Sequence, residues 1–198
     1  MMRIVVITAE PFAAGEAEVI RRLLDAGIDR IHLRKPGAAE KEMRRLIESL
    51  PVGCYPRLSL HDRLPLAAEY GLGGVHLNAR NPAPPAGFRG LVSRSCHTLG
   101  EVAEHAADTD YRFLSPIFDS ISKSGYRAAF SEADLHDAAA QGIIDTRTLA
   151  LGGVSPARLP LVRAWGFGGA ALLGCIWRDT SPAGLRRTLA EIDKYRKE

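Results

Sequence analysis

Residues 147–156 read Arg-Thr-Leu-Ala-Leu-Gly-Gly-Val-Ser-Pro, and this stretch holds a whole strand-to-helix turn. The apolar run over 147–151 is long enough for a buried strand and too short for a helix. Gly152 and Gly153 stop it. Ser155 and Pro156 then make an N-cap and first-turn pair, because a serine oxygen can accept from an orphan backbone N–H and proline needs no donor there. A strand, a glycine turn and a helix start in so few residues are the repeating unit of an α/β fold.

Working outward, the same unit recurs. Toward the C-terminus a strand is expected over 169–175, ending Leu172-Leu173-Gly174-Cys175, then a helix over 182–196. Toward the N-terminus strands are expected over 111–118, 91–96, 74–78, 57–62, 30–35 and 3–8. Helical spacing lies between most of them: Val19, Ile20, Leu23 and Leu24 before Gly27; Met43, Leu46, Ile47 and Leu50; a segment from Leu64 to Gly71; then 99–107 and 131–141. The exception is 81–90, where three prolines and two glycines leave no room for a full helix. Strands joined by crossover segments require a parallel sheet. An open doubly wound sheet is the rival arrangement. A count of eight and an even repeat, with no insertion to mark a domain break, point instead to a closed (β/α)8 TIM barrel, a single domain over 1–198.

At 198 residues the chain is short for a barrel that typically takes about 250, so its loops must be close to minimal. Hydrophobic residues at 46% and charged residues at 25% are ordinary for a soluble globular protein. The net charge of +3 is small. Arg186, Arg187, Lys194, Arg196 and Lys197 interleave with Leu185, Leu189 and Ile192 at helical spacing, the pattern of a solvated helix face rather than a nucleic-acid patch. Cys54, Cys96 and Cys175 are isolated, which implies neither a disulfide framework nor a structural zinc site. No run approaches the roughly 20 apolar residues of a membrane helix, and no leader-like segment opens the chain. The expectation is a cytoplasmic protein whose partners are neither membrane nor nucleic acid.

Barrels of this class build their active sites at the C-terminal ends of the strands. Standing there are His32, Arg34 and Lys35; His61 and Asp62; His76 and Asn78; Ser93, Ser95 and His97; Lys123; Gly152 and Gly153; and Gly174. Glycines after both of the last two strands suit a phosphate, since a residue without Cβ lets backbone N–H groups approach an anion. Lys123, in Ser120-Ile121-Ser122-Lys123-Ser124-Gly125, has the hydroxyls and the charge to join them, or is a plain solvated lysine. His97 ends the fifth strand and is a candidate acid–base group, with Ser95 and Ser93 on one side of that strand. Its plain alternative is a structural histidine. His32 and His76 lie among apolar neighbours and read as inward-pointing or core residues. No spacing marks any of the six histidines as a metal ligand.

Taken together, His32-Leu33-Arg34-Lys35, His61-Asp62-Arg63, Gly74-Val75-His76-Leu77, Ser95-Cys96-His97-Thr98 with Glu101, Asp110-Tyr111, Ser115-Pro116-Ile117-Phe118, Ser120-Ile121-Ser122-Lys123 and Leu149-Ala150-Leu151-Gly152-Gly153-Val154 resemble the thiamine phosphate synthase/TenI family, in order and over nearly the whole chain. The resemblance implies a (β/α)8 barrel acting on the phosphorylated thiazole of thiamine synthesis. It implies that Ser120, Ser122, Lys123, Gly153 and Gly174 contact the thiazole phosphate or its neighbours. Arg34 and Asp62 would serve a diphosphate and Mg²⁺ in a synthase, which joins the thiazole to an aminopyrimidine diphosphate and releases pyrophosphate. A homodimer or small oligomer is also implied.

Three departures bear on which reaction is run. The synthase pattern has Asn where His61 stands, a second lysine where Pro36 stands, and a second metal-binding Asp where Asn81 stands. Mg²⁺ on a diphosphate favours carboxylate oxygens. Losing one carboxylate and one cation leaves less to stabilise departing pyrophosphate. The TenI branch, which tautomerises a carboxythiazole phosphate to its aromatic form, needs no cofactor, only proton transfer, and its histidine lies in a segment similar to Arg94-Ser95-Cys96-His97. The expectation is therefore a TenI-like thiazole tautomerase with His97 catalytic, the alternatives being a synthase with Asp62 on Mg²⁺ or a non-catalytic phosphate-ligand binder.

Overall fold

Val5, Val6 and Ile7 carry the branched side chains that pack well on a pleated surface, and Arg3–Ile7 forms strand β1. Similar short runs form β2 (Arg30–Leu33), β3 (Leu58–Leu60), β4 (Gly74–Leu77), β5 (Leu91–Cys96), β6 (Tyr111–Leu114), β7 (Thr148–Ala150) and β8 (Gly169–Leu172). In this computed structural model, which describes residues 2–119 and 128–196, each strand pairs in parallel with the next. β8 returns to β1 with Arg3 opposite Gly169, and the barrel closes.

The helices are α1 (Glu16–Asp25), α2 (Glu40–Glu48), α3 (Pro65–Glu69), α4 (Leu99–Glu104), α5 (Glu132–Ala140), α6 (Leu159–Ala164), α7 (Gly174–Trp177) and α8 (Pro182–Arg196). No helix lies between β4 and β5, as the prolines there require. Val19, Ile20, Leu23 and Leu24 form the buried stripe of α1, and Gly27, at φ 90°, takes the left-handed conformation that ends it. Such stripes pack on the outer face of the sheet and make the larger core. Among the described residues no helix is long and apolar enough to cross a membrane.

Every strand except β5 ends sooner than its β-rich run suggests. After β6, Pro116 has no N–H to give, yet Ile117 N and Phe118 N still donate to Leu151 O and Gly152 O, so that segment follows the end of β7 without a regular ladder. After β8, Gly174 and Cys175 turn into α7 rather than extending the strand.

Inside, the barrel has two unlike halves. Val5, Ile7, Tyr111, Phe113, Leu149 and Ala171 make a small apolar cluster from β1 and β6–β8. Across from it, β2–β5 contribute the buried His32, Ser59, His76 and Ser93. Barrel interiors are ordinarily filled by branched aliphatic side chains. The polar half marks where this sequence departs from pure packing.

Candidate active site

β5 delivers His97 to the C-terminal mouth of the barrel. Thr98 caps α4 by accepting from Glu101 N at 3.1 Å, and Glu101 Oε2 accepts from His97 N at 2.5 Å. The histidine backbone is thus fixed at the strand-to-helix junction while its ring stays exposed. His97 Nδ1 lies 3.2 Å from the carbonyl oxygen of Ser115, just past β6. A carbonyl only accepts, so Nδ1 holds the ring hydrogen and Nε2 keeps a lone pair with no partner among the described residues.

Ser95 sits two residues earlier, its hydroxyl 2.8 Å from His76 Nε2. The direction of that bond follows from its far end. Ser93 Oγ donates to the Val75 carbonyl at 3.2 Å, so it accepts from His76 Nδ1 at 2.8 Å. His76 Nε2 then accepts from Ser95, which turns its lone pairs, not its hydrogen, toward any ligand.

The glycines expected to serve a phosphate sit where expected in the chain, and the structure supplies a packing reason for two of them. A Cβ on Gly152 would come within 2.8 Å of Pro116 Cα, and one on Gly153 within 2.5 Å of Asp119 O. Both have left-handed φ, 93° and 64°. The segment after β6 is pressed against the end of β7. Gly174 opens α7, a short extra helix after β8 whose first N–H groups lack intrahelical partners. Ser120, Ser122 and Lys123 lie outside the described residues.

The ends of β2–β4 form the opposite rim. Arg34 pairs with Glu10 at 2.7 Å. Lys35, grouped with it in the sequence, has another job: fully buried, its Nζ meets Glu16 Oε1 at 2.6 Å and the carbonyls of Ala9 and Pro11. It clips the β1–α1 connection and has no free donor to offer an anion. Asp62 Oδ1 accepts from Arg80 at 3.1 Å, whereas Asp62 Oδ2 is buried with no partner among the described residues. Asn81 turns its amide nitrogen to the His61 carbonyl at 3.0 Å. One carboxylate already facing a guanidinium, beside an amide that is donating, falls short of the carboxylate pair that the family's Mg²⁺ site asks for. These residues do not fit that site, and no chemical step is routed through it.

Sequence reasoning left His32, His61 and His76 as separate residues; the barrel brings them together. Their ligand-capable nitrogens lie within 4.8 Å of one another, buried on β2, just past the end of β3, and on β4. His32 Nδ1 is 2.7 Å from His61 Nε2, and His32 Nε2 is 2.6 Å from Tyr111 Oη. Burial foremost, then neighbouring imidazoles and arginines, holds all three below the ordinary histidine range, His76 at about 3. They are neutral rings. The usable signal was strand parity: His32, Ser59 and His61, His76, and Ser93 and Ser95 share the inward side of successive strands. Two open clefts are present, one of about 260 Å³ beside α8, lined in part by Ser155, Pro156 and Cys175 past the ends of β7 and β8, and one of about 440 Å³ on the N-terminal face. Neither collects acid–base groups comparable to those at the strand ends.

The family model described as thiamine monophosphate synthase matches residues 4–176. A Geobacter sulfurreducens protein named putative thiamine-phosphate synthase is 31% identical over 183 residues, covering 88% of this chain and 85% of its own. The crystal structure of a thiamine phosphate pyrophosphorylase from Bacteroides thetaiotaomicron is 33% identical, with a TM-score of 0.88 over 99% of this chain and 98% of that one. A Pyrococcus furiosus thiamine phosphate pyrophosphorylase shares the fold at 20% identity, with a TM-score of 0.79 over 99% and 96% of the two chains. Barrel, strand-end chemistry and relatives agree, and the chain belongs to the thiamine monophosphate synthase/TenI family.

Proposed function

We propose that this protein binds a phosphorylated thiazole at the C-terminal mouth of its barrel and moves a proton on it, as a TenI-like tautomerase. The hydrogen bond of His97 carries the reading. With its hydrogen committed to the Ser115 carbonyl, Nε2 is free to take a proton from one substrate carbon, whose C–H electron pair enters the ring system. The imidazolium returns that proton at another position, so nothing is consumed and the thiazole ends aromatic. Gly152, Gly153 and Gly174, with Ser120, Ser122 and Lys123, would hold the phosphate, and Arg34 and Ser95 would face the remainder of the substrate. An acid–base group of this kind contributes about 10²–10⁴-fold.

The relatives' names favour a second reading, condensation of the thiazole phosphate with an aminopyrimidine diphosphate. One feature of this chain speaks for it: Asp62 Oδ2 is a buried carboxylate oxygen with no partner among the described residues. Against it stand Pro36 and Asn81, where the synthase pattern has a cation and a second carboxylate.

The deciding measurement is turnover of the carboxythiazole phosphate tautomer with and without EDTA, for wild type and His97→Ala. Metal-independent turnover that falls by about 10²–10⁴-fold in His97→Ala, with substrate binding kept, is expected. Silence here together with Mg²⁺-dependent thiamine phosphate formation would replace the tautomerase with the synthase. Silence in both assays, with thiazole phosphate still bound, would leave a binding protein.

A further inference from the structure

His32, His61 and His76 invite a metal, and their geometry argues against one. Two nitrogens on one zinc sit about 3.3 Å apart, given bonds of about 2.0–2.1 Å at tetrahedral angles. His32 Nδ1 and His61 Nε2 are 2.7 Å apart, a hydrogen-bond separation. The His61 and His76 rings are stacked, with centroids 4.0 Å apart and planes 21° from parallel, so their in-plane lone pairs do not converge. The cluster is a hydrogen-bonded assembly, and groups that have no choice of role set its polarity.

A guanidinium only donates, and Arg30 Nη1 gives a hydrogen to Ser59 Oγ at 3.2 Å. Ser93 and Ser59 both bear on the Tyr111 oxygen, and Ser59, accepting from Arg30, has its own hydrogen to give there. Tyr111, accepting there, donates to His32 Nε2 at 2.6 Å. A neutral imidazole carries one hydrogen, so His32 holds its own on Nδ1 and donates to His61 Nε2 at 2.7 Å. His61 must then carry its hydrogen on Nδ1, which has no partner among the described residues. Aligned bonds of this kind polarise one another. The chain runs opposite in sense to the one on β4–β5, which ends in the Ser95 lone pairs. Near His61 lie Arg34 and Arg80, paired with Glu10 and Asp62.

We propose that His61 is a substrate-binding residue: its Nδ1–H, oriented by the chain from Arg30 through Ser59, Tyr111 and His32, is a fixed donor to a carboxylate or phosphate oxygen of the bound substrate. The assignment rests on the reading of the barrel mouth as an anion-binding site, but not on which reaction occurs there.

Side-chain NMR of ¹⁵N-labelled protein reads the histidine tautomers without any ligand. The expected result is a neutral His61 with its hydrogen on Nδ1, joined by an Nε2–H fraction in Tyr111→Phe, where the chain is cut. Inorganic phosphate and thiazole-2-carboxylate, titrated separately, show which anion shifts that Nδ1–H signal. Affinity for the anion that does so is expected to fall about 10- to 100-fold in His61→Leu and to stay within a few-fold in His61→Asn, which keeps an N–H donor. An Nε2–H tautomer in wild type overturns the proposal, as does stoichiometric Zn²⁺ binding that is lost in His61→Asn. Anion binding that shifts the Gly152, Gly153 and Gly174 amides but not His61 also overturns it, while leaving the mouth as an anion site. Binding of neither anion overturns both.

Discussion

Lys35 and Glu16 are nineteen positions apart in the chain, as the numbering shows, yet their charges meet at 2.6 Å with side chains 0% and 3% exposed. Burial pulls the Lys35 pKa down while Glu16 pushes back. Truncating one partner strands the other charge in the interior, which typically destabilises by about 3–5 kcal/mol. Lys35→Met should therefore lower stability in urea unfolding by that order, and Lys35→Met with Glu16→Gln should recover part of it. Additive losses from the two substitutions would mean that the charges act independently. From sequence alone Lys35 was one more cation at a strand end, because a lysine beside Arg34 looks the same whether it faces a ligand or folds back on its own loop. Gly153 was ambiguous in the same way. At φ 64°, and with Asp119 O at 2.5 Å from any Cβ, Gly153→Ala should destabilise by about 1–3 kcal/mol even in the absence of substrate. Unchanged stability together with weakened substrate binding would show that this glycine serves the ligand alone.

Among elements, α4 ties packing to the site. Its Thr98 cap fixes the first turn, and its Glu101 carboxylate holds the His97 backbone. Thr98→Ala should cost about 1 kcal/mol of stability, as N-cap losses do. If His97 is the acid–base group proposed above, Glu101→Ala should lower kcat more than it raises KM, since it loosens that histidine without touching Gly152, Gly153 or Gly174. A pure KM effect would detach Glu101 from the placement of His97. The positions of the elements were legible because the period-two and period-3.6 patterns alternate without interruption, and the proline-rich 81–90 segment excluded a helix by covalent chemistry alone. Strand ends were not legible. At residues such as Leu173, partly buried, and Ile117, fully buried, the apolar run continues after the ladder stops, because the chain still packs on the barrel while it turns into the mouth. α7 was read as the tail of a strand for the same reason. His97 and Ser95 were legible as strand-end chemistry. The bond that sets the His97 tautomer was not, since it comes from Ser115, just past the end of another strand.

For the molecule as a whole, the hidden quantity was the polar half of the barrel, because parity within one strand turns a histidine inward but does not say which residues of the other strands it meets there. Their collective burial couples folding to pH. The folded pKa of each lies below the unfolded value near 6.5, so below that pH the unfolded chain binds protons that the native barrel refuses. Stability is complete above the unfolded pKa and is lost as pH falls from about 6.5 toward the folded values, about 3 for His76. At pH 5 His76 alone should cost about 2 kcal/mol, with His32 and His61 acting in the same direction. Between pH 7 and 5 the ordinary carboxylate range has not yet been reached, so ion pairs such as Arg21–Glu18 contribute little to the slope there. The melting temperature should fall steeply between pH 7 and 5. In His76→Gln, which keeps an amide to bond Ser93 and Ser95 but cannot take a proton, the fall should be visibly shallower even though stability at pH 7 is lower. An identical slope in wild type and His76→Gln would mean that this ring is protonated inside the folded barrel, and that the interior is wetter than its packing implies.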